Sequence, residues 1–249
     1  MRLADKRALV TGSSQGIGAE VAKLFAKEGA TVAVNHRGGK AHREPVVDAI
    51  KRSGGKAFAL HADVSDPDSV KRMFGEVKDR MGGLDILVNA AGLADSALWS
   101  LKLDDVKLEM WKRVFAVDTF GTFLCCQGAA KLMGRGSSIV NVASTPALVG
   151  DTDGLVYASA KGAVISMTRM LAKMLAPRTR VNCMAFGSFE TDWVNWLDDD
   201  QRKSYREAIP LGRFGKPPEA AKLALFLGGE ESSFITGQVI IIDGGEALR

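Results

Sequence analysis

Seven short apolar runs, separated by segments long enough to form helices, constrain the fold of this chain most strongly. Continuous apolar runs of this length are typical of strands that are buried on both faces, and helix-length connections are what parallel neighbours require. The pattern predicts an α/β fold: a doubly wound, seven-stranded parallel sheet with helices on both faces, in a single domain. The runs are Ala8–Val10, Thr31–Val34, Ala57–Leu60, Ile86–Val88, Ser138–Val142, Arg180–Met184 and Gln238–Ile242.

A glycine-rich turn, Thr11–Gly18, directly follows the first apolar run and opens a helical segment from Ala19 to Lys27. In this context, backbone N–H groups and the positive end of a helix dipole lie where a pyrophosphate can bind. The glycines let such a ligand approach the main chain closely. The alternative is a tight turn that binds nothing. The residues expected to contact a dinucleotide here are Gly12, Ser14, Gln15, Gly16, Ile17 and Gly18.

A tyrosine and a lysine four residues apart, Tyr157 and Lys161, lie on one face of a predicted helix. A fixed ammonium ion beside a phenol favours the phenolate, which suits the phenol to acid–base catalysis near neutral pH. Ser144 stands thirteen residues before Tyr157, at the end of a strand-like run, and strand ends carry ligands in open parallel sheets. The alternatives are an ordinary amphipathic helix face for the pair and a turn hydroxyl for Ser144.

Together with Asn89-Ala90-Ala91-Gly92, these motifs stand in an order that resembles the short-chain dehydrogenase/reductase family. The resemblance extends from Lys6 to Asp243-Gly244-Gly245. It implies a Rossmann-type fold and hydride transfer between a nicotinamide and a carbinol carbon. It also implies that Tyr157 is the acid–base, that Lys161 lowers its pKa and holds the nicotinamide ribose, and that Ser144 binds the substrate oxygen.

The resemblance also bears on the choice of cofactor. NAD-preferring relatives usually carry an acidic residue at the end of the second strand, and this chain has His36 there, followed by Arg37. A 2′-phosphate would meet no carboxylate and could bind Arg37. We therefore expect a preference for NADP(H), with NAD(H) use possible. The other positions that match cofactor-binding residues of the family are Asp63, Val64, Asn89, Ala90, Gly92, Gly187 and Thr191.

Two residues depart from the family pattern. Asp118 stands where relatives have an asparagine that supports a water near the lysine, so we include Asp118 among the catalytic candidates. Our hypothesis is that its charge holds Lys161 protonated yet partly cancels the effect of Lys161 on Tyr157, which moves the pH–rate profile to higher pH. The alternative is a salt bridge without catalytic consequence. Phe186 replaces a proline before Gly187, so the fixed φ of proline is lost and this wall of the site is expected to differ in shape from that of relatives.

Two segments are expected to border the substrate cleft. The segment 188–214, which contains Trp193 and Trp196, breaks the strand–helix rhythm, and the family has its mobile substrate lid there. Either tryptophan could instead pack against the body or a partner subunit. A helix from Ser96 to Met110 is expected to form part of the rim. The acidic run Asp198–Asp200 is interpreted as the solvated start of a helix.

Composition limits the classes of partner. The chain of 249 residues has a net charge of +4 with no block of like charge, which argues against nucleic-acid binding. It has neither a secretory signal nor an apolar run long enough to span a membrane, so we expect a cytoplasmic protein. Three cysteines in apolar segments indicate reduced, packed thiols. No metal site is predicted. Apolar faces within 115–132 and 157–175 suggest a homodimer or homotetramer.

Two functions therefore compete. The first is an oxidoreductase that acts on a small-molecule ketone or secondary alcohol, resembling 3-oxoacyl-acyl-carrier-protein reductases and sugar or polyol dehydrogenases. The second is a dinucleotide-binding sensor or regulator with little or no turnover, which the departures at Asp118 and Phe186 would suit. Retention of Ser144, Tyr157 and Lys161 favours the first.

Overall fold

The sheet has seven parallel strands in the order β3-β2-β1-β4-β5-β6-β7, which confirms the predicted fold class. This computed structural model describes residues 1–38, 40–93 and 95–248, without the side chains of residues 40–44 and Trp193. The strands are β1 (Arg7–Thr11), β2 (Thr31–His36), β3 (Lys56–His61), β4 (Leu84–Asn89), β5 (Met133–Ser144), β6 (Thr179–Phe186) and β7 (Val239–Ile242).

Strand β5 begins well before its predicted start. Met133 pairs with Leu84, and the register then shifts before Ser138 pairs with Ile86. The intervening residues are glycines and polar side chains, so the apolar pattern did not reveal this part of the strand. Bulges of this kind leave no period-2 signal in the sequence.

Helices cover both faces of the sheet. Alternate residues of β1 point to opposite sides, so that Ala8 and Val10 pack in one core and Leu9 packs in the other. The first core contains residues of α1, α2 and α9, and the second contains residues of α3, α5 and α7. The helices are α1 (Gly16–Lys27), α2 (Lys40–Arg52), α3 (Pro67–Met81), α4 (Leu108–Phe115), α5 (Thr122–Ala130), α6 (Pro146–Val149), α7 (Leu155–Leu175), α8 (Asp199–Ala208) and α9 (Pro217–Gly228).

The strand order positions the site. β1 pairs with β2 on one side and with β4 on the other, so the chain reverses its direction across the sheet at this point. Ligands of open α/β sheets bind in the crevice outside the carboxyl ends of the strands at such a switch point. The carboxyl ends of β1, β4 and β5 carry the glycine turn, the Asn89–Gly92 segment and Ser144.

The expected helix from Ser96 to Met110 is wrong in its extent. Two short 3-10 turns, Ser96–Leu98 and Leu103–Asp105, come before α4 begins at Leu108. The Trp99 carbonyl accepts the Gly154 N–H at 2.9 Å, so it is already engaged across the chain instead of within an α-helix.

The predicted lid segment 188–214 contains more regular structure than its sequence rhythm indicated. Asp198 is the N-cap of α8 and accepts the Gln201 N–H at 2.8 Å, as the acidic run predicted. Val194, Leu197, Ile209 and Phe214 form a small core of their own with Tyr205 packed against it. Movement of this segment as a lid stays a prediction, and the Trp193 side chain lies outside the described residues.

The three cysteines are free and buried, as the composition indicated.

None of the helices that the structure describes has the length and apolar character needed to cross a membrane. Within the described ranges, no three His, Cys, Asp or Glu side chains gather in a group that could hold a metal ion.

Candidate active site

The glycine turn packs its backbone directly against the start of the Ala90–Gly92 loop. A Cβ on Gly12 would lie 2.6 Å from the Ala91 Cα, a distance that no side chain can occupy. Gly16 has a φ of +57°, in the left-handed region that favours glycine. The sequence therefore adopts a tight turn here, and Gly12, Ser14, Gln15 and Gly16 of that turn line the cleft.

Helix α1 directs its N-terminus into the same cleft. Gln15 is its N-cap residue, and the Gln15 side chain donates to Asp192 at 2.8 Å instead of capping the helix. The first turn of α1 carries no acidic side chain, which leaves its positive dipole end uncompensated by the helix itself. The Gln15–Asp192 bond joins the glycine turn to the 188–214 segment across the cleft.

The end of β2 presents a buried imidazole and an exposed guanidinium. His36 is 2% exposed, and its Nδ1 lies 2.5 Å from the Gly38 carbonyl oxygen. Arg37 is exposed, and both residues line the cleft. A carboxylate at this strand end would repel an anionic group, whereas Arg37 can bind one.

Two of the remaining predicted cofactor positions, Asp63 and Asn89, make hydrogen bonds within the protein. Asp63 lines the cleft, but its Oδ1 accepts the Ser65 backbone N–H at 2.9 Å and the Ser65 hydroxyl at 2.6 Å. Asn89 does not line the cleft: it is 3% exposed and donates to Asn141 Oδ1 at 2.9 Å. The Asn89 side chain therefore holds β4 against β5. The residues that follow it, Ala90-Ala91-Gly92, form a loop that lines the cleft.

Tyr157 and Ser144 meet at the floor of the cleft. Ser144 ends β5 and donates to the Phe186 carbonyl oxygen at 3.2 Å, and its hydroxyl also hydrogen-bonds Tyr157. Tyr157 is partly buried and lines the cleft beside Ser144. A substrate oxygen placed here could contact both hydroxyls.

Lys161 forms a buried ion pair with Asp118. The Lys161 Nζ lies 2.8 Å from the Asp118 Oδ1, and the two side chains are 4% and 0% exposed. Asp118 Oδ2 accepts the Leu93 N–H at 3.1 Å. A Cβ on Gly92 would lie 3.2 Å from Asp118 Oδ1, so the backbone of the loop covers the pair from above.

The electrostatics of this cluster act in opposite directions on its two titrating groups. Burial alone would lower the pKa of Lys161, but the charge and hydrogen bond of Asp118, together with the Tyr157 phenol, outweigh it and the pKa is raised. Burial raises the pKa of Tyr157, Lys161 lowers it, Asp118 raises it and the Ser144 hydrogen bond lowers it, with a net increase. The carboxylate thus keeps the ammonium charged while it opposes ionisation of the phenol.

Asp118 lies in a π-helical turn, Ala116–Gly121, that the sequence did not reveal. Thr119 Oγ1 donates to the Ala160 carbonyl oxygen at 3.1 Å and so ties this turn to α7 beside Lys161. π-helical turns occur frequently at functional sites. This wide turn depends on a tertiary contact, which no local residue pattern signals.

The wall of the cleft after β6 includes Glu246, which is not among the site residues predicted from the sequence. Glu246 Oε2 accepts the Ser188 N–H and Oε1 accepts the Ser188 hydroxyl, each at 2.7 Å. Glu246 thereby anchors the loop that contains Gly187, where the proline of relatives is replaced by Phe186. The Phe186 ring packs instead on Phe189, with 5.2 Å between the ring centroids.

These groups line one cleft of about 1040 Å³. Thr191 lies beside the glycine turn, where its Cγ2 would be 3.8 Å from a Cβ on Gly16. The predicted site residues that line the cleft are Gly12, Ser14, Gln15, Gly16, Ile17, Gly18, His36, Arg37, Asp63, Val64, Ala90, Gly92, Asp118, Ser144, Tyr157, Lys161, Gly187 and Thr191.

The chain belongs to the short-chain dehydrogenase/reductase family of oxidoreductases. A family model described as enoyl-(acyl carrier protein) reductase matches residues 12–246. A 3-oxoacyl-[acyl-carrier-protein] reductase of Staphylococcus aureus is 39% identical over 243 residues, which cover 96% of this chain and 97% of the relative.

Solved structures of the same family share the fold. A dehydrogenase/reductase from Sinorhizobium meliloti superposes with a TM-score of 0.92 at 35% identity, covering 98% of this chain and 96% of the other. A short-chain dehydrogenase from Burkholderia cenocepacia, solved in complex with NADP, gives a TM-score of 0.90 at 36% identity with 99% of each chain covered.

The ion pair between Lys161 and Asp118 is expected to affect the free energy of unfolding. Lys161→Met leaves the buried Asp118 charge unpaired and is expected to lower the free energy of unfolding by about 3–5 kcal/mol in denaturant titrations. Adding Asp118→Asn should restore most of that loss, because it removes the unpaired charge. Lys173→Met, at an exposed position of the same helix, should change stability by less than about 0.5 kcal/mol. Equal destabilisation with and without Asp118→Asn would contradict the pairing.

Proposed function

We propose that this protein is an NADP(H)-dependent oxidoreductase that interconverts a ketone and a secondary alcohol. The observation that carries the proposal is the convergence of the Ser144 and Tyr157 hydroxyls above the Lys161 ammonium, in the same cleft as the glycine turn. Membership of an oxidoreductase family supports hydride transfer as the reaction type.

The residues present fit a nicotinamide dinucleotide. The glycine turn lines the cleft without side chains at Gly12 and Gly16, and the α1 N-terminus favours an anion. Arg37 provides an exposed cation at the end of β2 for a 2′-phosphate. The NADP complex of the Burkholderia cenocepacia relative supports this cofactor, and NAD(H) use stays a second prediction.

A bound nicotinamide supplies the hydride to the carbonyl carbon, or accepts it from the carbinol carbon. In our proposal, the Ser144 hydroxyl turns from the Phe186 carbonyl oxygen and donates its one proton to the substrate oxygen, where negative charge develops during reduction. Tyr157 delivers a proton to that oxygen in reduction and removes it in oxidation. Lys161 stabilises the phenolate form of Tyr157 and holds the nicotinamide ribose hydroxyls.

Asp118 has a positioning role in this proposal. Its carboxylate holds Lys161 charged and fixed at 2.8 Å, and it raises the pKa of the Tyr157 phenol. Reduction needs the phenol protonated, whereas oxidation needs the phenolate. A raised pKa therefore favours the reductive direction near neutral pH and moves the alkaline limb of reduction to higher pH.

Assembly as a homodimer or homotetramer is also proposed. Apolar side chains remain exposed in the two helical regions whose sequence suggested an interface: Phe120 by 56%, Phe123 by 42%, Met170 by 58% and Met174 by 71%. Exposed apolar patches of this kind often mark interaction sites. Sedimentation as a monomer at micromolar concentration would contradict the assembly.

The reaction is tested with a panel of ketones, secondary alcohols, and neutral 3-oxoacyl and enoyl thioesters, by following the absorbance of the reduced nicotinamide. We expect turnover of ketones, and Tyr157→Phe should lower kcat by about 10²- to 10⁴-fold because the proton donor is lost. Tyr205→Phe removes the other tyrosine hydroxyl of the chain and should not reproduce that loss in kcat. A wild-type protein that binds nucleotide but converts no compound would support the sensor function instead.

The cofactor preference gives a second test. Arg37→Ala should weaken NADPH binding by about tenfold to a hundredfold, as expected for the loss of charge-assisted hydrogen bonds to a phosphate. NADH affinity should change little, because NADH lacks the 2′-phosphate. Arg135→Ala, at an exposed position that does not line the cleft, serves as the control. Equal losses for both nucleotides in fluorescence titrations would contradict the assignment of Arg37.

A further inference from the structure

One end of the cleft, beyond Tyr157, has aromatic walls. We call it the aromatic end and define it by Trp99, Trp196, Tyr205, Asp151 and Glu246, which all line the cleft. The Trp99 and Tyr157 rings are 5.6 Å apart between centroids, and the Trp99 indole N–H donates to the Tyr205 hydroxyl. Trp99 therefore joins the proposed acid–base, Tyr157, to Tyr205 along the wall of the cleft.

Contacts with the backbone hold the Trp99 ring in place. A Cβ on Gly154 would lie 2.9 Å from the Trp99 ring, so the indole packs on bare backbone at the start of α7. The Gly154 N–H donates to the Trp99 carbonyl at 2.9 Å. Trp196 is 39% exposed, which leaves its ring surface available to a ligand.

The charge at the aromatic end is negative. Asp151 is exposed, and Glu246 is held there by Ser188. Burial raises the pKa of Tyr205, the nearby carboxylates of Asp151, Asp153 and Glu246 raise it further, and the Trp99 hydrogen bond lowers it.

No lysine or arginine among the described residues that line the cleft belongs to the aromatic end. Among the described residues that line the cleft, the only Lys and Arg side chains are Lys161 and Arg37. Lys161 is already paired with Asp118 at 2.8 Å. Arg37 lies at the end of β2, on the opposite side of β1 from the β4 and β5 strands that lead to Ser144. Arg37 therefore lies at the glycine-turn end of the cleft, together with Asp63 and Asp192, whereas the carboxylates of the aromatic end have no cation beside them among the described cleft-lining residues.

We propose that the substrate is a small ketone, or the corresponding secondary alcohol, that carries a protonated or quaternary amine at the aromatic end. Aromatic faces attract ammonium groups through their quadrupoles, and carboxylates at the rim add Coulombic attraction. An anionic substrate would be repelled by the same carboxylates. This inference rests on the proposed function, because it assigns the substrate of the same site. It distinguishes this chain from relatives named for acyl-carrier substrates.

The test compares three ketones of similar shape that differ in charge: acetonyltrimethylammonium, neutral neopentyl methyl ketone and acetonylsulfonate. In steady-state assays with NADPH, kcat/KM for the ammonium ketone should exceed that for the neutral ketone by about tenfold, mainly through KM, and the sulfonate should be the poorest. Equal values, a preference for the sulfonate, or a stronger preference for a neutral polyhydroxy ketone or a 3-oxoacyl thioester would overturn the inference.

A variant separates recognition from the intrinsic reactivity of the ketones. Asp151→Asn keeps an oxygen that can accept the Thr152 N–H, bound at 2.7 Å in the wild type, but removes the charge. It should reduce the ratio of ammonium to neutral kcat/KM by about threefold. Asp66→Asn makes the same charge change at the N-cap of α3, outside the cleft, and should leave the ratio unchanged. An unchanged ratio in Asp151→Asn would overturn the inference.

Binding measurements test the inference even if the protein converts none of the ketones. Dissociation constants of the same three ketones are measured by calorimetry on the protein saturated with NADP⁺, where the ketones cannot be reduced. Tighter binding of the ammonium ketone is expected, and its weakening in Asp151→Asn should match the kinetic effect. If the ammonium ketone binds selectively but nothing is turned over, the proposed function fails and the inferred site stands. If turnover occurs without selective binding, the inferred site fails alone.

Discussion

A buried carboxylate and a buried ammonium, Asp118 and Lys161, hold the active-site cluster together. Taking either charge out of water alone would cost several kcal/mol, so each requires the other. The pair lies under the Gly92 backbone, receives the Leu93 N–H and is tied to α7 through Thr119. Its position determines how far Lys161 can reach toward the cleft and how strongly it acts on Tyr157.

This arrangement has a chemical consequence for the phenol above it. A lone ammonium beside Tyr157 would favour the phenolate, but the Asp118 carboxylate partly offsets that field. The cluster therefore holds the phenol in its protonated form over a wider range of pH. A protonated phenol is the form that a ketone reductase needs, which is consistent with relatives named as reductases.

The sequence predicted the sheet and most of the cleft because both depend on local patterns. The alternation of Ala8, Leu9 and Val10 between two cores follows from strand geometry, and Gly12 is required by close backbone approach. The fold class was confirmed, and eighteen of the nineteen predicted site residues line one cleft, with Asn89 behind it. Their catalytic and cofactor roles stay proposals.

What the sequence could not predict depends on contacts between distant residues. The π-helical turn around Asp118 is stabilised by Thr119 against Ala160, and Glu246 reaches Ser188 from the far end of the chain. The 96–110 segment is not one helix, because the Trp99 carbonyl is bonded to Gly154. Each of these contacts becomes visible only once the sheet has brought its partners together.

The charge distribution along the cleft connects these features to function. The α1 N-terminus and Arg37 can bind an anionic group at one end, where Asp63 and Asp192 also line the cleft, whereas Asp151 and Glu246 among aromatic rings favour a cation at the other. Tyr157 and Ser144 lie between the two ends. A cofactor with an anionic group and a substrate with a cationic group would therefore be held in the orientation that hydride transfer requires.

The influence of Asp118 on the phenol can be measured directly. The chain contains two tyrosines, so a Tyr205→Phe protein reports Tyr157 alone through the ultraviolet absorbance of tyrosinate. Because Asp118 raises the pKa of Tyr157, adding Asp118→Asn should move the titration to lower pH. A titration that stays in place or moves to higher pH would show that the carboxylate does not oppose ionisation of the phenol, and would contradict the account.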